Sequence, residues 1–253
     1  MLRFFRKSTP TTTPGRIPAG LRIYVIGDIH GRLDLLDDLL ARIAADDAAR
    51  AAAETQLVFL GDLIDRGPAS AAVVERAMRL AEQRPCRFLM GNHEEVFLKA
   101  LSGDERALRL FIRIGGRETI LSYGMDESRY NALDFEELLA ALPALVPPRH
   151  QAFLAGFEDL IELGDYVFVH AGIRPGTPLA EQRVAELRWI RDEFLDHPGP
   201  HPRIVVHGHS IAPQVEWRRY RIGIDTGAYA SGELTALALE DDQRWTVATT
   251  PQG

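Results

Sequence analysis

Five short segments of the chain set carboxylate, imidazole or amide groups beside glycine. They are Gly27-Asp28-Ile29-His30-Gly31, Gly61-Asp62-Leu63-Ile64-Asp65-Arg66-Gly67, Gly91-Asn92-His93-Glu94, His170-Ala171-Gly172 and His207-Gly208-His209. Mixed oxygen and imidazole donors suit Mn, Fe or Zn, whereas all-oxygen cages suit Mg or Ca. Two such ions roughly 3.5–4 Å apart repel each other and need a shared anionic ligand. Asp62 is the natural bridge. An ion pair of this kind lowers the pKa of bound water and supplies hydroxide at neutral pH. Charge developing on a phosphate would then call for arginine forks, and a leaving alkoxide for a proton donor.

Each fragment alone has an ordinary explanation. Asp28-Ile29-His30 can be a turn aspartate beside a packed histidine, and Asp65-Arg66-Gly67 a helix-start ion pair. Asn92-His93-Glu94 can be a helix cap, and His170 or His209 a satisfied core histidine. What argues against five coincidences is position. The apolar runs Leu21–Ile26, Gln56–Leu60, Cys86–Met90, Tyr166–Val169 and Ile204–Val206 read as buried strands, and each fragment follows one of them. The carboxyl edge of an open α/β sheet is where sites assemble. Between the early strands the period becomes helical: Leu33, Leu36, Leu40 and Ile43 form one stripe, Val73, Val74, Ala77 and Leu80 another. The alternation predicts an α/β fold with largely parallel pairing in its first half. Candidates at Tyr220–Ile224, Leu234–Leu239 and Trp245–Ala248 predict antiparallel additions, and residues 95–160 read as mostly helical with a break at Gly115-Gly116.

The ordered set resembles the calcineurin-like metallophosphoesterases, and Asp65-Arg66-Gly67 with Asn92-His93-Glu94 narrows the resemblance to the phosphoprotein phosphatase superfamily. It runs from about Leu21 to Leu239. Trp189-Ile190-Arg191 and Ile224-Asp225-Thr226-Gly227-Ala228 are similar to the bacterial and phage branch, which includes serine/threonine phosphatases and symmetrical diadenosine tetraphosphate hydrolases. By this resemblance Asp28, His30 and Asp62 would hold the first of two divalent ions, and Asp62, Asn92, His170 and His209 the second. His93 would be the general acid, oriented by Asp65, while Arg66 and Arg191 would clamp the phosphate. The implied fold is two mixed sheets packed as a sandwich and flanked by helices, and Mn2+ is the expected metal. One departure is informative: Gly208-His209 is followed by Ser210 and Ile211, so the second histidine of the Gly-His-x-His ending in broader metallophosphoesterases is absent. His207 is expected to be structural. The long carboxyl-terminal substrate groove of the eukaryotic enzymes also has no counterpart in the sequence.

The whole chain sets the remaining bounds. Its 253 residues, 46% hydrophobic and 26% charged, suit one large globular domain. Residues 21–253 are expected to form that domain, with 95–160 a helical cap-like insertion and 1–20 a flexible lead-in. No run is long and apolar enough to span a bilayer. The single cysteine, Cys86, excludes an intrachain disulfide and suits a reducing cytoplasm; a packed thiol is expected there. A formal charge of -7 without a dense basic block argues against long nucleic acid as a partner.

The expected activity is phosphomonoester hydrolysis on phosphoserine and phosphothreonine in proteins. A symmetrical dinucleoside tetraphosphate hydrolase is the alternative, and an inactive binding scaffold a third reading that the intact motifs oppose. A nucleotide enzyme would need a base pocket built by residues 95–160, where Phe97, Phe111, Arg113, Arg117 and Tyr123 could stack on a base. Aromatic spacing on helices more often reports a packed core, and packing is the expectation adopted.

Overall fold

The computed structural model describes residues 15–250. Its core is two five-stranded mixed sheets. In the first, β1 (Leu21–Ile26), β2 (Glu54–Phe59) and β3 (Cys86–Phe88) run parallel, and β9 (Thr235–Glu240) and β10 (Gln243–Ala248) extend it antiparallel beyond β1. The second has the order β4-β5-β6-β8-β7, with β5 (Tyr166–Val169), β6 (Ile204–His207) and β8 (Arg221–Gly223) parallel. Its edge strands β4 (Leu160–Leu163) and β7 (Glu216–Trp217) are antiparallel to their neighbours.

Side chains alternate across β1, and both faces are buried. Ile23 and Val25 join Val58, Leu60 and Leu237 from the same sheet, against Phe168, Val206 and Ile222 from the other. Tyr24 and Ile26 instead meet α1 (Leu33–Ala48) and α2 (Ser70–Gln83). The stripe Val73, Val74, Ala77 and Leu80 is buried as its period predicts; in α1 the buried set is Leu35, Leu36, Leu39, Leu40 and Ile43, with Leu33 only partly covered. The outer face of the second sheet is closed by Leu187 and Phe194 from α9 (Val184–Trp189) and α10 (Asp192–Leu195).

Between β3 and β4 the chain is helical, as its sequence predicts: α3 (Asn92–Leu101), α4 (Glu105–Phe111), a π-helical turn at Ile112–Gly116, α5 (Arg117–Ser122), α6 (Glu127–Ala132), α7 (Phe135–Leu145) and α8 (Pro148–Ala155). Phe97 and Phe111 are fully buried and stack with centroids 4.8 Å apart, Tyr123 stacks on Phe97, and Arg117 pairs with Glu118 and Glu127. Arg113 is exposed. Phe97 and Phe111 therefore pack a core, and Tyr123 is partly buried against it.

Two expectations need correction. Residues 15–20 are not part of a free lead-in: Ile17 is buried, its amide donates to the Asp241 carbonyl at 3.0 Å, and the Arg16 amide donates to the Asp165 carboxylate at 2.8 Å. A lone apolar residue among Pro, Gly and Arg has no periodicity to announce such a tether. Residues 1–14 lie outside the described residues. The strands β4 and β7 were also unanticipated, because one is four residues long beside the helical insertion and the other spans two residues at an edge. Cys86 is half-buried and free, and burial pushes its thiol up to about 11, as befits a packed side chain. Among the described residues no helix is long and apolar enough to cross a membrane.

Candidate functional site

All five fragments converge at one edge of the sandwich. Asp28, His30, Asp62, Asn92, His93, His170 and His209 are all buried. Asp62 is the hub. Its Oδ2 lies 3.7 Å from His30 Nε2, 3.4 Å from His170 Nε2 and 3.8 Å from His93 Nε2. Two metal-sized groupings share it: His30, Asp62 and His93, and Asp62, His170 and His209. Asn92 Oδ1 lies 2.9 Å from His170 Nε2 and 2.8 Å from His209 Nδ1.

The imidazoles are aimed by the backbone. His30 Nδ1 donates to the Ile64 carbonyl at 2.8 Å and His170 Nδ1 to that of Leu60 at 2.7 Å, so each turns Nε2 toward Asp62. Burial holds His30 at about 3 and His209 at about 2, which keeps both neutral with lone pairs to offer. Burial opposes charge on His170 too, but Asp62 and Asp28 outweigh it and push this group to about 10. Asp28 is itself raised by burial and by Asp225 and Asp62.

This donor set fits divalent cations. Asp28 Oδ1 and His209 Nε2 are buried and have no hydrogen-bond partner among the described residues. Three carboxylates, Asp28, Asp62 and Asp225, are also gathered away from water, an arrangement that a bound cation would stabilise. At Gly91 and Gly208 a Cβ would strike the Asp62 and Asp28 carboxylates, so glycine is required where the backbone passes closest to the donors.

Residues 21–240 match the model of the calcineurin-like phosphoesterases. The chain belongs to that family. It is 25% identical over 248 residues to the bis(5'-nucleosyl)-tetraphosphatase PrpE [asymmetrical] of Anoxybacillus flavithermus, covering 89% of this chain and 94% of that protein. It is 31% identical over 179 residues to the symmetrical bis(5'-nucleosyl)-tetraphosphatase of Acidovorax sp. strain JS42, covering 71% of this chain but only 50% of that protein. A crystal structure provisionally assigned as a diadenosine tetraphosphatase shares the fold, with 22% identity, a TM-score of 0.63, and 96% of this chain and 97% of the other covered.

In this calcineurin-like phosphoesterase His93 stands apart from the other imidazoles. Its Nδ1 meets the Asp65 carboxylate at 2.6 Å, and its Nε2 faces Arg66 Nη2 at 3.1 Å. A guanidinium only donates, so in this state Nε2 accepts and Nδ1 carries the proton given to Asp65. Burial lowers the pKa of His93, but Asp62 and Asp65 more than compensate and leave it raised. Arg66 also lies over the Tyr229 ring at 4.6 Å and donates to the Ile114 carbonyl at 3.4 Å. Arg191 is exposed, with Nη1 3.5 Å from Ser210 Oγ beside His209. His207 is buried, pushed down to about 4 by burial, and packs on Phe194, in keeping with a structural role.

Sequence reasoning missed three supports. Glu94, fully buried, accepts from the amides of Asp62 and Leu63 at 2.8 Å each, so it fixes the loop that carries the bridge. Burial, with Asp62 adding, raises its carboxyl to about 7. Thr119, from the helical insertion, donates to Asp65 Oδ1 at 2.6 Å and accepts from the Asp65 amide at 2.9 Å. Tyr229 sits edge-on to His30 at 5.5 Å while carrying Arg66 on its face. Glu94 was visible as part of Asn92-His93-Glu94; Thr119 and Tyr229 belong to no pattern that a single sequence displays.

Proposed function

We propose that this chain hydrolyses dinucleoside polyphosphates, with a dinucleoside tetraphosphate as the representative substrate. The observation that carries the hydrolytic chemistry is a buried donor set sharing Asp62, with Asp28 Oδ1 and His209 Nε2 unpartnered among the described residues, beside the separate Asp65–His93–Arg66 chain. The choice of substrate is supported by relatives named as bis(5'-nucleosyl)-tetraphosphatases, one of them matched along 94% of its length. This reverses the order expected from sequence, which put phosphoproteins first. It also favours asymmetrical cleavage over the symmetrical kind named there, since the symmetrical relative is matched along only 50% of its length.

Asp28, His30 and Asp62 would hold one divalent cation, and Asp62, Asn92, His170 and His209 the other. Bound there, the cations lower the pKa of water and offset charge on the phosphate. Water attacks one phosphorus, its P–O bond to the bridging oxygen breaks, and the products are a nucleoside monophosphate and triphosphate. Arg66 and Arg191 would neutralise the phosphate oxygens. As Arg66 swings from His93 to the phosphate, Nε2 is freed to take up a proton from water and pass it to the leaving oxygen, with Asp65 steadying the ring from Nδ1.

The test is a panel with Mn-loaded protein: diadenosine tetraphosphate, a phosphothreonine peptide and p-nitrophenyl phosphate, with the nucleotide products separated by chromatography. A kcat/KM for the tetraphosphate at least tenfold above that for the peptide, with ATP and AMP in equal amounts, is expected. A peptide preference would return the assignment to protein phosphatases, and ADP alone would make cleavage symmetrical.

A further inference from the structure

Two cations sharing Asp62 would engage one or two phosphates, so a dinucleoside polyphosphate needs a second place to rest. In the helical insertion Phe97 and Phe111 are spent on packing. A cleft of about 610 Å³ instead has Ser210, the residue after His209, in its wall. Its volume would take a nucleoside with attached phosphates.

The lining suits such a ligand. Arg218, Arg219 and Arg221 outnumber Asp196 and Glu216 along its walls, although the chain as a whole is acidic. Glu216 pairs with both the buried Arg221, at 2.8 Å, and the exposed Arg218, at 3.2 Å, while Arg219 lays its guanidinium over the Tyr220 ring at 5.2 Å. Tyr220 is seated against the backbone of Gly199, where a Cβ would collide with the ring. A guanidinium on a fixed aromatic ring is a stacking platform for a base and a donor for phosphate. His201 also lines the cleft, is 8% exposed, and has an Nε2 with no hydrogen-bond partner among the described residues.

We infer that this cleft is a nucleotide subsite, and that it holds the portion of the substrate lying beyond the attacked phosphorus. The polyphosphate leaves the metal centre past Arg191 and Ser210, 3.5 Å apart, and enters among Arg218 and Arg219, with the base against Arg219 and Tyr220. Specificity for two nucleosides rather than a single phosphoester would arise here.

The inference rests on the proposed dinucleoside polyphosphate activity, and the experiment separates the two. Arg219→Ala, Tyr220→Leu and Tyr220→Phe are assayed as Mn-loaded full-length protein on diadenosine tetraphosphate and p-nitrophenyl phosphate, and ADP binding is measured by calorimetry. For the first two variants, kcat/KM on the tetraphosphate should fall at least about fivefold relative to p-nitrophenyl phosphate, mainly through KM, while ADP binding weakens in parallel. Tyr220→Phe keeps the ring and should resemble the wild type. Equal losses on both substrates would mark the residues as structural, and unchanged kinetics and ADP binding would empty the cleft; either result overturns the inference. A wild type inactive on the tetraphosphate would refute the proposed activity alone. The subsite would then stand if ADP bound and the variants lost it, and fall if ADP did not bind.

Discussion

Replacing Thr119 by valine would test whether the helical insertion takes part in the chemistry. The hydroxyl is fully buried and holds both ends of Asp65, donating to Oδ1 at 2.6 Å and accepting from the amide at 2.9 Å. Valine keeps the shape but removes the hydrogen bond to the carboxylate, worth about 1.5–3 kcal/mol, together with the contacts to the Asp65 amide and, at 3.0 Å, to Ser70 Oγ. The Asp65 amide keeps Ser70 Oγ at 3.0 Å, so no orphaned N–H adds to that cost. Asp65 Oδ2 still meets His93, so the ring is loosened rather than released. Residues that orient a functional group through one intermediary typically cost about 10–100-fold, and this partial loss belongs at about tenfold in kcat. KM and bound metal should change little, because Thr119 contacts no proposed ligand. Thr119→Ser should recover most of kcat by restoring the hydroxyl. Steady-state kinetics, urea melts and elemental analysis on the three proteins decide the matter. Wild-type kcat in the valine variant, or lost metal in place of lost kcat, would refute a route from the insertion through Asp65 to His93.

His93→Asn should retain both metals by elemental analysis and lose about 10²–10⁴ in turnover on a phosphothreonine peptide, whose alkoxide needs a proton. The loss should shrink on p-nitrophenyl phosphate and on diadenosine tetraphosphate, because phenolate and polyphosphate are much better leaving groups; equal losses on all three would exclude the acid role. Arg66 has φ of 67°, which an arginine seldom adopts. Arg66→Lys should be nearly as inactive as Arg66→Ala in kcat/KM, since a forked donor is lost. Arg66→Gly should be equally inactive and yet unfold in urea no earlier than Arg66→Ala, because glycine relieves the left-handed backbone. Chelation should abolish activity, and Mn should restore it at least as well as Mg, with close to two ions per chain in the active protein. Full activity in exhaustively metal-free protein would end the two-ion reading.

The clustering of the candidate donors was legible because each stands within four residues of the end of a strand. A run such as Leu57-Val58-Phe59-Leu60 and the Gly61-Asp62 after it are adjacent in sequence and in space, so the motif carries its own address. The supporting half is distant in sequence. Thr119 reaches Asp65 across 54 positions, and the Arg66 amide donates to Gly115 across 49, from a helical segment whose sequence reports only helix. Substrate choice was hardest to read for the same reason. The cleft proposed to hold a nucleotide draws on residues 195–201 and 210–221, two segments with no shared period, while Phe97 and Phe111 of the insertion went into the core.

Backbone conformation adds what side-chain patterns could not. Six described non-glycine residues have positive φ, and five of them are His30, Asp62, Asp65, Arg66 and His209. Histidine and aspartate enter the left-handed region more readily than most residues, but each such position still costs on the order of 1–3 kcal/mol. Packing does not demand these side chains, since glycine would satisfy the same turns without strain. In Asp62 the strained turn brings the carboxylate within reach of His30 and His170, which approach from separate strands of different sheets. At Arg66 it presents the guanidinium to His93. Strain concentrated on donors, with Glu94 and Thr119 holding the loop amides in place, is stability given up for geometry. A scaffold kept only for binding would have no need to retain it.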